Sequence, residues 1–171
     1  MSIPTPIDHG LDLRAPVHQV SHRAITYWTL RAVAICAVVG VVEWVLFFWN
    51  GSALPHGRWV VVGASAGLAV AYVLVMPRWR YAVHRWETTE HAAYTQSGWF
   101  NQERRIAPIS RIQTVDSQRG PLEQLFGITN VTVTTASAAG PLHIKGLDDA
   151  TAQRLVRELT TVSAAAEDDA T

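Results

Sequence analysis

The sequence predicts an α+β chain in which two apolar helices form a transmembrane hairpin and a small, mostly β domain, capped by a C-terminal helix, follows. Three observations predict it. Two long apolar runs occupy the first half. At Arg78 the pattern changes to short β-rich runs broken by Gly, Pro, Asn and Asp. An amphipathic stretch lies near the C-terminus. The 171 residues are 16% charged, well below the roughly 25% usual in soluble domains. The depletion is local, because from Ala32 to Val75 the only formal charges are Glu43 and Arg58.

The first apolar run is Ile25 to Trp49 and the second is Trp59 to Met76. A helix needs about 20 mainly apolar residues to cross a ~30 Å hydrocarbon core. The first run is ample. The second is near the lower limit and is expected to stand close to the membrane normal. Both are apolar all round rather than striped, which argues against a buried hairpin of a soluble protein. The polar lead of over twenty residues, with no small-residue cleavage site after the first run, argues against a cleaved signal peptide.

Asn50, Gly51, Ser52, Pro55 and Gly57 supply the turn between the runs. Trp44, Trp49 and Trp59 flank it, and Tyr27, Trp28, Trp79 and Tyr81 lie at the opposite ends. Aromatic rings with an N–H or O–H favour these interfaces. Arg14 and Arg23 before the first helix, with Arg78, Arg80 and Arg85 after the second, outnumber Arg58 in the turn. The positive-inside rule then expects both termini in the cytoplasm. Residues 1–24 are read as a cytoplasmic segment and 25–76 as the hairpin.

Small residues recur at every fourth position: Ala32, Cys36 and Gly40 in the first helix, and Gly63, Gly67 and Ala71 in the second. Such rows let backbones approach closely in lipid, so they are expected to pack the hairpin, with oligomer formation as the alternative. Cys36 is the sole cysteine. It excludes an intrachain disulfide or a Cys-based zinc site and reads as a small apolar residue. Glu43 is costly within a span and is a functional candidate for that reason. It lies about two turns from the outer end, where it is expected to reach water, be protonated, or accept a hydrogen bond from Ser65 at similar depth. Arg31 is expected to snorkel toward the headgroups. Twelve residues, about 18 Å of helix, separate it from Glu43.

Residues 78–163 are read as the β domain. Expected strands are Arg80 to Thr88, His91 to Ser97, Trp99 to Ile106 and Ser110 to Ser117. Val131 and Val133 alternate with polar residues, as do Leu142 and Ile144, with Ala136 to Gly140 as the turn between those two strands. Pro121 to Phe126 suits one or two helical turns, with Leu122, Leu125 and Phe126 toward the core and Gly127 as a left-handed stop. Asp148 is the expected N-cap of a closing helix that puts Leu155, Leu159 and Val162 on one face. Residues 164–171 are small and acidic and are expected to be disordered. The order of elements suits a small sheet or partly open barrel capped by a helix. Arg111, Gln113, Asp116 and Arg119 have no packing role in this reading. Together with Arg104 and Arg105 they form a candidate contact surface.

The run Arg111-Ile112-Gln113-Thr114-Val115-Asp116, the turn Gly120-Pro121-Leu122-Glu123-Gln124-Leu125-Phe126-Gly127 and the strand Val131 to Ala136 follow Gly98, Arg104-Arg105 and Ile106-Ala107-Pro108. This pattern resembles the bacterial pleckstrin-homology-like (PH-like) membrane proteins of the YdbS type, over about Arg23 to Val162. The resemblance implies two membrane helices before one PH-like domain. It also implies a partner, since such proteins often occur with larger multi-domain relatives: another PH-like membrane protein, or further copies of this chain.

Chemistry is not indicated. There is no nucleophile motif, Gly-rich phosphate loop or metal-ligand cluster, so no enzyme activity, cofactor, metal or small-molecule substrate is expected. His84, His91 and His143 are scattered and read as surface residues. Asp116 and Glu123 stand seven residues apart with nothing to place a base or an oxyanion hole beside them. A formal net charge of zero gives no reason to expect nucleic acid. PH domains that bind phosphoinositides carry basic residues at the first hairpin, where this chain has Glu87, Thr88, Thr89 and Glu90. Arg104 and Arg105 offer a smaller basic site. Arg78, Arg80 and Arg85 lie beside the membrane, where each basic residue attracts anionic lipid by roughly 1 kcal/mol. The expectation is a membrane-anchored, non-enzymatic interaction module on the cytoplasmic face, its partners being the bilayer and a protein. The alternatives are an anionic-lipid-binding module of the inner leaflet and a small transporter or export subunit that uses Glu43.

Overall fold

Two helices dominate the N-terminal half of the computed structural model, which describes residues 15–49, 55–98, 100–137 and 140–168. Helix α1 is Arg23–Trp49 and α2 is Pro55–Val83. Both are long and apolar enough to cross a membrane, with mean hydropathies of 2.2 and 2.1 over their most apolar stretches. Asn50 to Ser52 of the expected turn lie outside the described residues. Helix α2 runs seven residues past the expected end at Met76, through Pro77. Arg78, Trp79 and Arg80 end the apolar run but do not end the helix, because leaving hydrocarbon does not oblige a backbone to unwind. Pro77 removes one backbone donor, yet its side chain is fully buried. The strand expected from Arg80 therefore begins only at Arg85.

The hairpin seam follows a 4-3-4-3-4 spacing on α2. Arg58, Val62, Ser65, Ala69, Tyr72 and Met76 are half-buried or buried, whereas every position between them except Val73 is exposed. This is the repeat by which two helices keep one stripe in contact. Ala32 and Cys36 of α1 lie on the sheltered side. Gly63, Gly67 and Ala71 do not; they are exposed on another face of α2. A Cβ atom placed at Gly40, Gly63 or Gly67 would meet nothing within 4 Å. The second small-residue row thus does not pack the hairpin as expected, because larger residues at the 4-3 positions occupy the seam.

The β domain has two antiparallel sheets. The first has the order β1-β2-β3-β4, from strands His18–Gln19, Arg85–Thr88, Ala92–Ser97 and Glu103–Pro108. The second is β5-β6-β7, from Ile112–Gln118, Ile128–Thr135 and Leu142–Asp148. A 3₁₀ turn at Ile109–Arg111 takes the start of the expected fourth strand. The expected third strand starts later than Trp99, which lies outside the described residues. Gly98 adopts φ +110°, and a Cβ there would collide with the Asn101 carbonyl oxygen. A short helix, α3 (Pro121–Leu125), joins β5 to β6, and α4 (Asp149–Asp168) closes the chain.

The main core is formed by Val131, Val133, Leu142, Ile144, Leu147, Leu155 and Leu159, all buried between the sheets and α4. The alternation in β6 and β7 and the helical spacing in α4 placed most of these residues correctly. Asp148 caps α4 by accepting the Thr151 N–H at 3.0 Å. Helix α4 extends to Asp168, into the 164–171 segment expected to be disordered. Ala164 to Ala166 are strong helix formers, and the acidic residues after them do not break a helix already propagating. Residues 169–171 lie outside the described residues.

A second, smaller core joins the hairpin to the domain: Val20, Ala24, Tyr27 and Trp28 pack with Ile128. Ser21 N–H donates to the Gly146 carbonyl at 2.8 Å. Residues 18 and 19 extend the first sheet by pairing with Trp86 and Arg85. Residues 15–24 and the β domain are therefore not separate units. The hairpin leaves the first sheet after β1 and returns to it at β2.

Candidate interaction site

The base of α1 is seated in the β domain. Tyr27 and Trp28, expected at a lipid interface, are buried instead, because the domain covers the side of α1 they occupy. The Arg80 guanidinium lies 4.7 Å from the Trp28 ring centre, and the His84 ring stands 5.1 Å away. Beneath them is Gly146 at φ +85°. A Cβ there would come within 3.1 Å of the Ala24 Cβ and 3.5 Å of Trp28. His84, expected at the surface, is buried. Its Nδ1–H donates to the Arg80 carbonyl at 2.7 Å. Burial above all, with the charges of Arg80 and Lys145 added, lowers its pKa from 6.5 to about 4.

The segment Gly120 to Gly127 forms the other wall of the seat. Glu123 Oε2 accepts the Gly120 N–H at 2.7 Å, which closes the first turn of α3. Glu123 Oε1 accepts from Asn130 Nδ2 at 2.7 Å and from the Tyr27 hydroxyl at 3.3 Å. Asn130 Oδ1 accepts the Gly146 N–H at 3.0 Å. On the membrane side, an Arg31 guanidinium nitrogen donates to the Tyr27 oxygen at 3.4 Å. The Tyr27 and Phe126 rings meet edge to face at 6.2 Å. Gly127 has φ +62°, with the Arg23 guanidinium 2.7 Å from where its Cβ would be. The most recognisable stretch of the sequence thus holds a membrane helix. Leu122 and Leu125, expected to point inward, are 48% and 77% exposed. A five-residue helix has one usable inner face, and Glu123 and Phe126 take it.

The expected contact surface is divided. Arg104, Arg105 and Arg111 line a pocket of about 350 Å³ with Thr135, Ser137 and Leu142, at the turn end of the β6–β7 hairpin. Arg105 donates through Nε to Glu103 at 2.7 Å and through NH1 to the Pro141 carbonyl at 3.0 Å. Nearby, burial first and then the charges of Lys145 and Arg105 lower the His143 pKa. Gln113 and Asp116 are exposed on the outer strand β5, where Thr114 donates to Asp116 at 3.3 Å. Arg119 pairs with Asp149 at 3.1 Å. Arg111 and Arg119 stand at opposite ends of β5, eight residues or about 26 Å apart. They do not share one patch.

A third feature lies between the helices. Cys36, Gly40, Glu43, Arg58, Ser65 and Tyr72 are among the lining of an apolar groove of about 760 Å³. The Ser65 hydroxyl donates to Glu43 Oε2 at 2.8 Å, the bond expected from their matched depth. Among the described residues, no three His, Cys, Asp or Glu side chains cluster as a metal site requires.

A family profile described as Bacterial PH domain matches residues 31–162. The chain belongs to that family. It is 30% identical, over 161 residues, to the UPF0699 transmembrane protein YdbS of Bacillus subtilis (strain 168), a match that covers 90% of this chain and 97% of that protein. No solved structure matches. The chain is therefore a PH-like domain in a YdbS-type transmembrane protein. Its two sheets and capping helix are those of the PH-like domain, and the membrane hairpin emerges between that domain's first two strands. Sequence reasoning missed the first of those strands because two residues carry no periodicity. It missed the seat because it weighed Glu123 only as an acid–base partner for Asp116.

Proposed function

We propose that this chain is a membrane-anchored, non-enzymatic interaction module, with its PH-like domain on the cytoplasmic face. It assembles there with another PH-like membrane protein or with further copies of itself. The observation that carries this reading is the way the hairpin is built into the domain's sheet. A domain on a flexible tether samples every orientation, whereas this one presents its outer strand β5 and its basic pocket at a fixed attitude to the bilayer. Arg23, Arg78, Arg80 and Arg85 against Arg58 support the cytoplasmic orientation. The non-enzymatic reading rests on Glu123, whose carboxylate is engaged by three donors, and on Asp116, which is exposed on β5 and accepts from Thr114. Crosslinking and affinity capture from native membranes are expected to return a defined complex. Recovery of monomer alone overturns the reading. Reporter fusions at the C-terminus and in the 50–54 turn test the orientation, with the cytoplasmic signal expected only from the C-terminal fusion.

One observation favours a second reading: three arginines line one pocket. In this reading the domain binds anionic headgroups. The test uses the full chain, since β1 and Trp28 belong to the domain. Protein in neutral nanodiscs is expected to capture anionic vesicles in a salt-dependent way and to lose that capture in the double substitution Arg104→Glu/Arg105→Glu. Failure to bind any vesicle ends this reading and leaves the first intact.

A further inference from the structure

Helix α3 has two leucines that its own domain leaves uncovered, and its position along α1 says what covers them. The stretch of α1 from Leu30 to Trp49 contains 20 residues, about 30 Å of helix, which matches a hydrocarbon core. On α2 the matching inner boundary falls at Arg78, whose guanidinium folds back to the Leu74 carbonyl at 2.7 Å. The inner edge of the core therefore lies at the level of Leu30 and Arg31. The Arg31 guanidinium reaches the Tyr27 hydroxyl at 3.4 Å, and that hydroxyl reaches Glu123 of α3 at 3.3 Å. Two hydrogen bonds thus tie α3 to the residue that marks the boundary. At this level Leu122 and Leu125 are 48% and 77% exposed. They sit at positions i and i+3 of one turn, on the flank beside Glu123.

We propose that α3 is a third membrane contact, with Leu122 and Leu125 inserted into the headgroup–acyl boundary of the leaflet at the domain's side of the membrane. The occupant is lipid because α3 is tied through Glu123 and Tyr27 to Arg31, at the inner end of the apolar span. Arginine is also the neighbour suited to this depth, its stem in the apolar layer and its head among phosphates. The contact explains why Gly-Pro-Leu-Glu-Gln-Leu-Phe-Gly combines a carboxylate that grips Tyr27 with leucines that the fold does not bury. It fixes the domain at a second point away from the hairpin axis and so resists rotation about that axis.

Full-length protein with Cys36→Ala and a single cysteine at Leu125 is spin-labelled in liposomes. Collision with oxygen, which concentrates in lipid, is compared with collision with a water-soluble nickel chelate. Labels at Val38, 64% exposed on the α1 span, and at Glu90, exposed on the β2–β3 turn, set the lipid and water references. The label at Leu125 is expected to favour oxygen several-fold more than the label at Glu90 does, with Leu122 showing the same preference. A ratio equal to that at Glu90 overturns the proposal by placing α3 in water. Low accessibility to both reagents overturns it by showing that protein covers the turn.

Discussion

At the scale of single residues, Gly146 carries a close approach between the base of α1 and the domain. Its φ of +85° lies in the left-handed region, and a Cβ would press on Ala24 and Trp28. Gly146→Ala is expected to cost about 1–2 kcal/mol from the backbone alone, plus the displacement of Trp28. Gly140, at φ +79° with nothing within 4 Å of its Cβ position, is the matched control. Thermal unfolding in detergent should rank Gly146→Ala well below Gly140→Ala. His84 gives a pH dependence whose sign follows from its surroundings. Its folded pKa near 4 lies below the ordinary 6.5. As pH falls through that window the unfolded chain takes up a proton that the folded chain refuses. Stability therefore falls from about pH 6.5 toward pH 4 and levels off below. His84→Gln keeps a donor for the Arg80 carbonyl and should flatten that slope in unfolding measured across the same range. In the span, Ser65→Ala removes the bond to Glu43 and is expected to cost about 0.6–1.7 kcal/mol, measured by unfolding in mixed micelles.

At the scale of elements, Glu123 of α3 ties the domain to the hairpin at Tyr27, beside the Tyr27–Phe126 ring contact. Glu123→Ala leaves the Gly120 N–H and the Asn130 amide without their acceptor and frees Tyr27. The expected loss is about 2–3 kcal/mol, since stranded buried donors are costly. Glu123→Gln keeps an acceptor oxygen and should lose less. Hydrogen exchange at residues 24–28 should rise in Glu123→Ala, while the amides of β6 far from the seat keep their protection. The elements themselves were unevenly legible. Val131, Val133, Leu142 and Ile144 advertised their strands because each side chain faces one consistent environment. Leu155 and Leu159 did the same for α4. Helix α2 past Met76 did not, since Arg78 to Val83 is apolar on one side only where the domain happens to meet it. Leu122 and Leu125 misled for the opposite reason: exposed leucines look like core leucines until the neighbouring surface is known.

At the scale of the whole molecule, β1 and the base of α1 belong to the PH-like domain. Arg80 lies against Trp28, so the two helices stand side by side where they leave the domain. Replacing residues 32–77 by a short Gly/Ser linker closes a small loop at modest entropic cost and is expected to give a soluble, folded domain. The fragment 85–168, which lacks β1, Val20 and Trp28, exposes Ile128 and Gly146 and should aggregate or unfold without cooperativity. Comparing the two by circular dichroism melting and size-exclusion chromatography checks whether the segment before α1 belongs to the domain. Equal behaviour of both would show that it does not.

The amino-acid sequence alone determined that two helices are apolar enough for a membrane, that Glu43 has Ser65 at its level, and that β6, β7 and α4 supply a core. These are local matters, set by hydropathy, periodicity and rise per residue. The tertiary structure decided the rest: that β1 joins a sheet across the hairpin, that Tyr27 and Trp28 face protein rather than lipid, and that Arg104 and Arg105 join Arg111 but not Arg119. It also decided that Glu123 grips α1. Each of these depends on which surfaces meet across long stretches of chain, and a residue's spacing records the face it occupies without recording what that face touches.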